Sequence, residues 1–109
     1  MATAKRLNAC CECGGPITSV RHDAAFCTPK CRKAYNNRRM QRGAELIELY
    51  WHTRFNRQEA IEFGIRTIMD NMVSTWNEED KAAGRRHAAP LKELMQRNIR
   101  YIAVRSNAR

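Results

Sequence analysis

Several features are missing from this 109-residue sequence, and each absence narrows what the chain is expected to be. No stretch has the apolar length that a bilayer span needs, and the N-terminus lacks the apolar core of a signal peptide. Internal repeats and low-complexity tracts are also missing. The sequence has no HExxH motif, P-loop or Gly-rich nucleotide loop, and no Ser/His/Asp set. We therefore expect a single-domain cytoplasmic protein that does not associate with membranes and is not an enzyme.

Four of the five cysteines form two closely spaced pairs, Cys10/Cys13 and Cys27/Cys31. A disulfide within either pair would close a very small, strained ring. Two short-looped pairs can instead converge on one tetrahedral metal ion, and cysteine clusters in a reducing cytosol favour metal over disulfide. The spacing therefore predicts one structural Zn²⁺ held by Cys10, Cys13, Cys27 and Cys31. A site of four thiolates leaves no open coordination position for catalysis.

The residues around the cysteines predict the local structure of this site. Gly14 and Gly15 suit a tight knuckle turn after the first pair. The segments 17–20 and 24–26 could form the two strands of a small hairpin. Thr28 can cap a helix that has Pro29 in its first turn, so Cys31 would point back from that turn towards the metal. Amides at a helix N-terminus stabilise thiolate, so we expect Cys31 to ionise readily.

A knuckle, a hairpin and a ligand-bearing helix together make a treble-clef arrangement. The CxxCG motif followed by Phe-Cys-Thr-Pro-Lys-Cys resembles the small treble-clef zinc modules of bacteria and their phages. Its spacing is similar to that of the small zinc-binding DNA gyrase inhibitors. The resemblance covers about a quarter of the chain and places the family's metal ligands on the same four cysteines. Treble clefs serve DNA, RNA and protein partners alike, so the resemblance implies either nucleic-acid binding or protein contact, such as inhibition of a DNA-handling enzyme like gyrase.

Charge is distributed unevenly along the sequence. Residues 1–43 carry nine basic and two acidic side chains, a net charge of +7, whereas residues 44–84 carry −4 and residues 85–109 carry +6. Basic patches attract phosphate backbones through counterion release, and arginine and asparagine pair with base edges. The helix that leaves the zinc site is therefore predicted to bind nucleic acid, with DNA favoured over RNA, through Lys30, Arg32, Lys33, Asn36, Arg38, Arg39 and Arg42. This makes the chain a candidate regulator.

Three residues or groups of residues admit a second interpretation. Lys30, Arg32 and Lys33 would also offset the net charge of −2 that four thiolates leave on a Zn²⁺ site. Cys11 is interpreted as a spare neighbour of the site rather than a nucleophile. His22 could replace one of the cysteines at the metal.

The remaining sequence predicts a helical portion, residues 44–109, packed on the zinc module of residues 1–43 as one compact domain. Gly43 either ends the basic helix or is a tolerated weak point within it. Apolar periodicity predicts helices over 44–55 and about 57–76, the second one introduced by an Asn56/Glu59 capping box.

Two further helices are expected, a short one that starts at Asn77 and stops at Gly84, and a last one opened by Pro90. The fold class is thus mostly α with a small β-hairpin, in which three to four helices follow the treble clef. Trp51 and Trp76 are predicted to be core anchors, although an exposed tryptophan would suggest a partner site. An exposed apolar strip on residues 44–76 could make a dimer.

Overall fold

The computed structural model describes residues 9–18 and 24–102. Helix accounts for 71% of these residues, which confirms the mostly helical class. The structure contains helices α1 (Pro29–Phe55), α2 (Arg57–Glu62), α3 (Ile65–Ala83) and α4 (Leu91–Arg97), and residues 99–102 are also helical.

Helix α1 begins as the sequence predicts and then continues further. Thr28 is its N-cap, with the Thr28 side chain accepting a hydrogen bond from the Cys31 amide, and Pro29 is in the first turn. The helix runs unbroken through Gly43 for 27 residues, about 40 Å of rise. Gly43 is therefore a tolerated weak point and not a stop. The boundary predicted between residues 43 and 44 lies inside this one helix.

The predicted helix over 57–76 is two helices, α2 and α3, separated at Phe63 and Gly64. Gly64 adopts a left-handed φ of 64°. A Cβ atom built on Gly64 would have no atom within 4 Å, so packing does not require a glycine there. Gly64 acts as a helix breaker. Asn77 does not start a new helix, because α3 continues past it to Ala83. Gly84 does end the helix, as predicted, with a left-handed φ of 73°.

The Asn56/Glu59 pair forms a different interaction from the capping box that was predicted. Asn56 makes no side-chain hydrogen bond to the backbone of α2. Its side-chain amide donates to the Glu59 carboxylate at 2.7 Å instead. The two side chains thus pair with each other at the sharp junction between α1 and α2.

Neither the β-hairpin nor the complete treble clef is shown. The β pairing found in the described segments is an isolated bridge between Ala9 and Pro16. Residues 17–18 and 24–26 are not in strands, and residues 19–23 lie outside the described residues. The carbonyl of Ala25 accepts a hydrogen bond from the Cys11 amide at 2.9 Å. This part of the predicted second strand thus pairs with the knuckle.

Helices α1, α2 and α3 pack against one another, whereas α4 makes no interface of similar size with them.

Among the described residues, Cys10, Cys11, Ala60 and Asp80 are buried. Trp76 is partly covered, but Trp51 is exposed. Apolar periodicity predicts a buried face on residues 44–76 and on the segment after Pro90. Many of the side chains on these faces are exposed instead, namely Ile47, Tyr50, Trp51, Phe55, Ile61, Ile68, Val73, Leu91, Met95, Ile99 and Ile102. Periodicity identifies apolar helix faces, but the helices of the described part of one chain do not cover all of these faces.

In the part of the chain that is described, no helix combines the length and the apolar character needed to cross a membrane.

Candidate metal centre

The four predicted cysteine ligands come together at one point. The sulfur atoms of Cys10, Cys13, Cys27 and Cys31 all lie within 4.8 Å of one another. Cys27 Sγ is 3.6 Å from the sulfurs of both Cys13 and Cys31. Four sulfurs at 2.3 Å from one tetrahedral ion would be about 3.8 Å apart. The spacing thus fits a single metal ion, and all four cysteines are free of disulfides.

The first pair is held by a knuckle whose backbone hydrogen bonds determine the position of both sulfurs. The Cys10 amide donates to the Gly15 carbonyl at 2.8 Å, and the Gly14 amide donates to the Cys10 carbonyl at 2.9 Å. Two further amides point at sulfur, Glu12 to Cys10 and Gly15 to Cys13, each at 3.4 Å. Amide donors of this kind favour the thiolate form that a metal requires. Gly14 makes the turn possible with a φ of 75°.

The second pair is held by the start of α1. Cys31 is in the first turn of this helix, and its amide donates to the Thr28 hydroxyl at 3.2 Å. Cys27 precedes the cap and faces back across the cluster. The direction of α1 is thereby tied to the position of two of the four sulfurs.

Cys10 and Cys27 have pKa values shifted in opposite directions in the absence of a metal. Burial alone would raise the pKa of Cys10, but hydrogen bonds from the backbone at Cys13, Cys27 and Glu12 outweigh it and lower this pKa from 9.0 to about 6. Hydrogen bonds with the Cys13 and Cys31 thiols, together with burial, raise the pKa of Cys27 to about 12. Neutral pH therefore leaves protons on the cluster, and a metal ion must displace them as it binds.

Cys31 differs from the expectation that it ionises readily. Hydrogen bonds with Thr28 and Cys27 lower its pKa, but burial and interactions with Cys10 and Cys13 outweigh them, so this pKa is raised above 9.0. Its position at a helix N-terminus is as predicted. Burial, together with Cys10 and Cys13, thus outweighs the hydrogen bonds that favour the Cys31 thiolate.

Cys11 lies beside the cluster but is not part of it, which agrees with its interpretation as a spare neighbour. Its side chain is buried, and its sulfur is 3.8 Å from a guanidinium nitrogen of Arg86. The Cys11 carbonyl accepts a hydrogen bond from the Arg86 amide at 2.9 Å. Cys11 therefore joins the knuckle to the segment after α3. His22, the alternative ligand, lies outside the described residues.

Ion pairs hold the knuckle to α1 and hold α1 to the end of α3. Arg38 on α1 pairs with both carboxylate oxygens of Glu12, with nitrogen–oxygen distances of 2.5 and 2.8 Å. Asp80, which is only 2% exposed, accepts from Arg42 at 2.8 Å and from Arg85 at 3.0 Å. The roles of Glu12, Asp80 and Arg85 were not anticipated. The clue available in the sequence was that Asp80 lies one helical turn before the stop signal of Gly84.

Five of the seven side chains predicted to bind nucleic acid are exposed along α1, namely Lys30, Arg32, Lys33, Asn36 and Arg39. The other two, Arg38 and Arg42, are only 26% and 17% exposed in their ion pairs. Their distance from the metal makes Arg38, Arg39 and Arg42 the better evidence for nucleic-acid contact in the sequence, but the structure gives Arg38 and Arg42 intramolecular partners. Tyr35 packs against Phe26, with ring centroids 5.3 Å apart, so it belongs to the packing around the metal centre.

Comparison with known proteins yields no match: no family model, no curated protein and no solved structure resembles this chain significantly. The resemblance to small treble-clef zinc proteins therefore stays a prediction. The functional argument depends on the geometry of the cysteine cluster and of α1.

Proposed function

We propose that this protein is a zinc-stabilised regulatory module that binds nucleic acid, with DNA favoured over RNA, through the first turns of α1. The observation that carries the proposal is the convergence of four cysteine sulfurs within 4.8 Å at the start of a helix with exposed basic side chains. The metal would hold this helix in a fixed direction relative to the knuckle. We further propose a treble-clef topology for residues 9–42.

Zinc is proposed because of the donor set. Four thiolates in a tetrahedral arrangement suit Zn²⁺, and they fill its coordination sphere. When bound, the ion would supply a structural crosslink between the knuckle and α1, and no catalytic role is proposed for it. Thiolates persist in a reducing compartment, so we place the protein in the cytoplasm.

The proposed nucleic-acid surface is narrower than the sequence suggests. Lys30, Arg32, Lys33 and Asn36 line one shallow groove on the first two turns of α1. Within the described residues, none of these side chains is paired with a carboxylate. A row of unpaired cations with an amide among them can contact consecutive phosphates. We exclude Arg38 and Arg42 from this surface because their ion pairs already satisfy them.

The test is a salt titration of nucleic-acid binding by the zinc-loaded protein. The variant in which Lys30, Arg32 and Lys33 are all replaced by Ala should bind more weakly. The slope of log K against log salt should fall by about 0.9 for each lost phosphate contact on duplex DNA.

A second triple variant, with Arg54, Arg57 and Arg66 replaced by Ala, changes the net charge equally at the far end of α1, at the start of α2 and at the start of α3. It should retain the wild-type slope. Equal losses in both variants, or binding that does not depend on salt, would contradict a specific basic surface. If α1 is basic only to offset the metal site, the first variant will bind nucleic acid normally but hold zinc less tightly.

A second candidate function is that of a protein-interaction module, such as an inhibitor of a DNA-handling enzyme like gyrase. It is favoured by the row of apolar side chains after Pro90, in which Leu91 is 73% exposed and Ile99 is 64% exposed. Recovery of a protein partner after nuclease treatment in moderate salt, and its loss in Leu91→Ser, would favour this function. Failure to recover any partner would count against it.

A further inference from the structure

Helix α1 has apolar side chains on two nearly opposite sides. The inner stripe, which includes Leu46, Leu49 and Thr53, is partly covered where α1 packs against α2 and α3. An outer stripe consists of Met40, Ala44, Ile47, Trp51 and Phe55. At about 100° per residue the two stripes lie roughly 160° apart around the helix. A helix that packs only once against its own chain needs only one such stripe.

The outer stripe is uncovered in the described part of the chain. Met40 is 71% exposed, Ile47 61%, Trp51 52% and Phe55 64%. The steps between successive members are four, three, four and four residues. This spacing is close to the alternating three and four of a coiled-coil seam. It extends over four turns of an unbroken helix.

We propose that a second copy of this chain packs against the outer stripe, so that the protein is a homodimer with two α1 helices at its interface. A heptad seam is self-complementary, because its side chains fit the holes between the same side chains of an identical helix. This pairing leaves the inner stripe and the metal centre as they are in one copy. It goes beyond the proposed nucleic-acid function and does not depend on it.

The exposed area is sufficient for such an interface. A tryptophan or phenylalanine side chain presents about 150–250 Å². At the exposures given above, the outer stripe offers on the order of 500 Å² per copy, or about 1,000 Å² for two copies. This total is at the lower limit for a specific interface. Tyr50, which is 55% exposed beside the stripe, adds to it.

The charges beside the stripe favour a second copy over an anionic membrane surface. One edge carries Gln41 and Glu48, and the other carries Gly43, Tyr50 and Arg54. Two nearly neutral faces can approach without strong repulsion, even in a chain of net charge +9. A helix that lies on an anionic membrane needs rows of Lys and Arg beside its apolar face, and this stripe does not have them.

The test compares two isoleucine variants of the zinc-loaded full chain by analytical ultracentrifugation over a wide concentration range. Wild type should sediment as a dimer of the 12.7 kDa chain. Ile47→Lys should be monomeric, whereas Ile61→Lys should remain a dimer because Ile61, which is 66% exposed, is on α2 and outside the stripe. Helix content and bound zinc should be unchanged in both variants. If Ile47→Lys fails to fold, Met40→Lys at the most exposed position of the stripe provides the same test.

A fluorescence readout identifies which surface is covered. In the Trp76→Phe variant, Trp51 is the remaining one of the two tryptophans. Its emission should shift to shorter wavelength as concentration rises, and Ile47→Lys in the same background should abolish the shift. The proposal is overturned if wild type is monomeric at every concentration, or if both isoleucine variants dissociate alike. It is also overturned if Trp51 shifts only when vesicles containing phosphatidylserine are added.

Discussion

Gly14 in the metal knuckle lies directly against the carbonyl of Gly84 at the end of α3. A Cβ atom built on Gly14 would be 2.9 Å from the Gly84 oxygen, closer than real Cβ atoms approach such an atom. Both glycines have left-handed φ values, 75° for Gly14 and 73° for Gly84. The knuckle that carries Gly14 and the end of α3 at Gly84, which is 70 residues later in the sequence, are thus in direct backbone contact.

Replacement of Gly14 by Ala should destabilise the zinc-bound protein. The new methyl group meets a backbone carbonyl, and the left-handed conformation alone costs roughly 1–2 kcal/mol for a residue with a side chain. We expect the free energy of unfolding, measured in urea at saturating zinc, to fall by at least about 2 kcal/mol.

The control is Gly43→Ala, since Gly43 is inside α1 with no atom within 4 Å of the added Cβ. That variant should gain up to about 1 kcal/mol. Equal effects in the two variants would contradict the close approach.

Replacement of Asp80 by Asn should unfold the protein much more easily. Asp80 is buried, and its loss leaves Arg85 without the carboxylate that it pairs with and leaves Arg42 with only the exposed Glu79 carboxylate, at 3.3 Å. Both arginine side chains are only 17% exposed. Breaking a buried pair in this way costs about 3–5 kcal/mol. The matched control is Asp70→Asn, because Asp70 and Arg66 form a pair that is 71% and 86% exposed. A surface pair of this kind contributes about 0–1 kcal/mol. Chemical denaturation of both variants at neutral pH provides the measurement, and equal losses would contradict the central role of Asp80.

The same carboxylates should make stability depend on pH in the acid range. The hydrogen bond from Arg38 lowers the pKa of Glu12 below 4.5. Burial would raise the pKa of Asp80, but hydrogen bonds from Arg42 and Arg85 outweigh it and lower this pKa below 3.8. On acidification the unfolded state therefore takes up protons first. The stabilisation is complete above about pH 4.5 and is lost as pH falls through the lowered values.

The contribution of Asp80 can be separated from acid loss of the metal, which affects every variant. The difference in unfolding free energy between wild type and Asp80→Asn should be constant above about pH 5 and should shrink below about pH 4. Urea titrations at several pH values and saturating zinc measure this difference. A difference that stays the same down to pH 3 would show that Asp80 does not titrate on unfolding.

Two cysteine variants should behave in opposite ways towards zinc. Cys27→Ser removes the sulfur that lies 3.6 Å from two others. It should lower zinc affinity by orders of magnitude and reduce helix content at low free zinc, because metal binding and folding are coupled. Cys11→Ser leaves all four ligands in place and should retain one zinc per chain. Metal analysis after dialysis against a weak chelator distinguishes the two variants, and loss of zinc from Cys11→Ser would mean that the ligand set is wrong.

Local signals predicted the cysteine cluster and its immediate surroundings. The cysteine spacing, the Thr28-Pro29 cap and the glycine after the first pair each act within a few residues, and each is found in the structure. The stop at Gly84 was predicted for the same reason. The break at Gly64 was not, because an isolated glycine is tolerated in many helices, as Gly43 is in α1.

Long-range pairings could not be predicted. Glu12 and Arg38 are 26 residues apart, and Arg42 and Asp80 are 38 apart. One sequence contains many acidic and basic residues that could pair in other ways. Apolar periodicity has a similar limit, because it shows which side of a helix avoids water but not what covers it. Trp51 was therefore expected in a core, although it is exposed in one copy.

The contact between Cys11 and Arg86 joins two segments that are synthesised at different times, because the two residues are 75 positions apart in the sequence. All four candidate metal ligands are synthesised within the first third of the printed sequence. Arg86 is added roughly 3–11 s later at typical elongation rates. During this interval the sulfurs are without the segment that later covers Cys11. The nascent chain can thus capture its metal first and dock the end of α3 afterwards, so zinc supplied during translation should give more folded protein than zinc supplied after release.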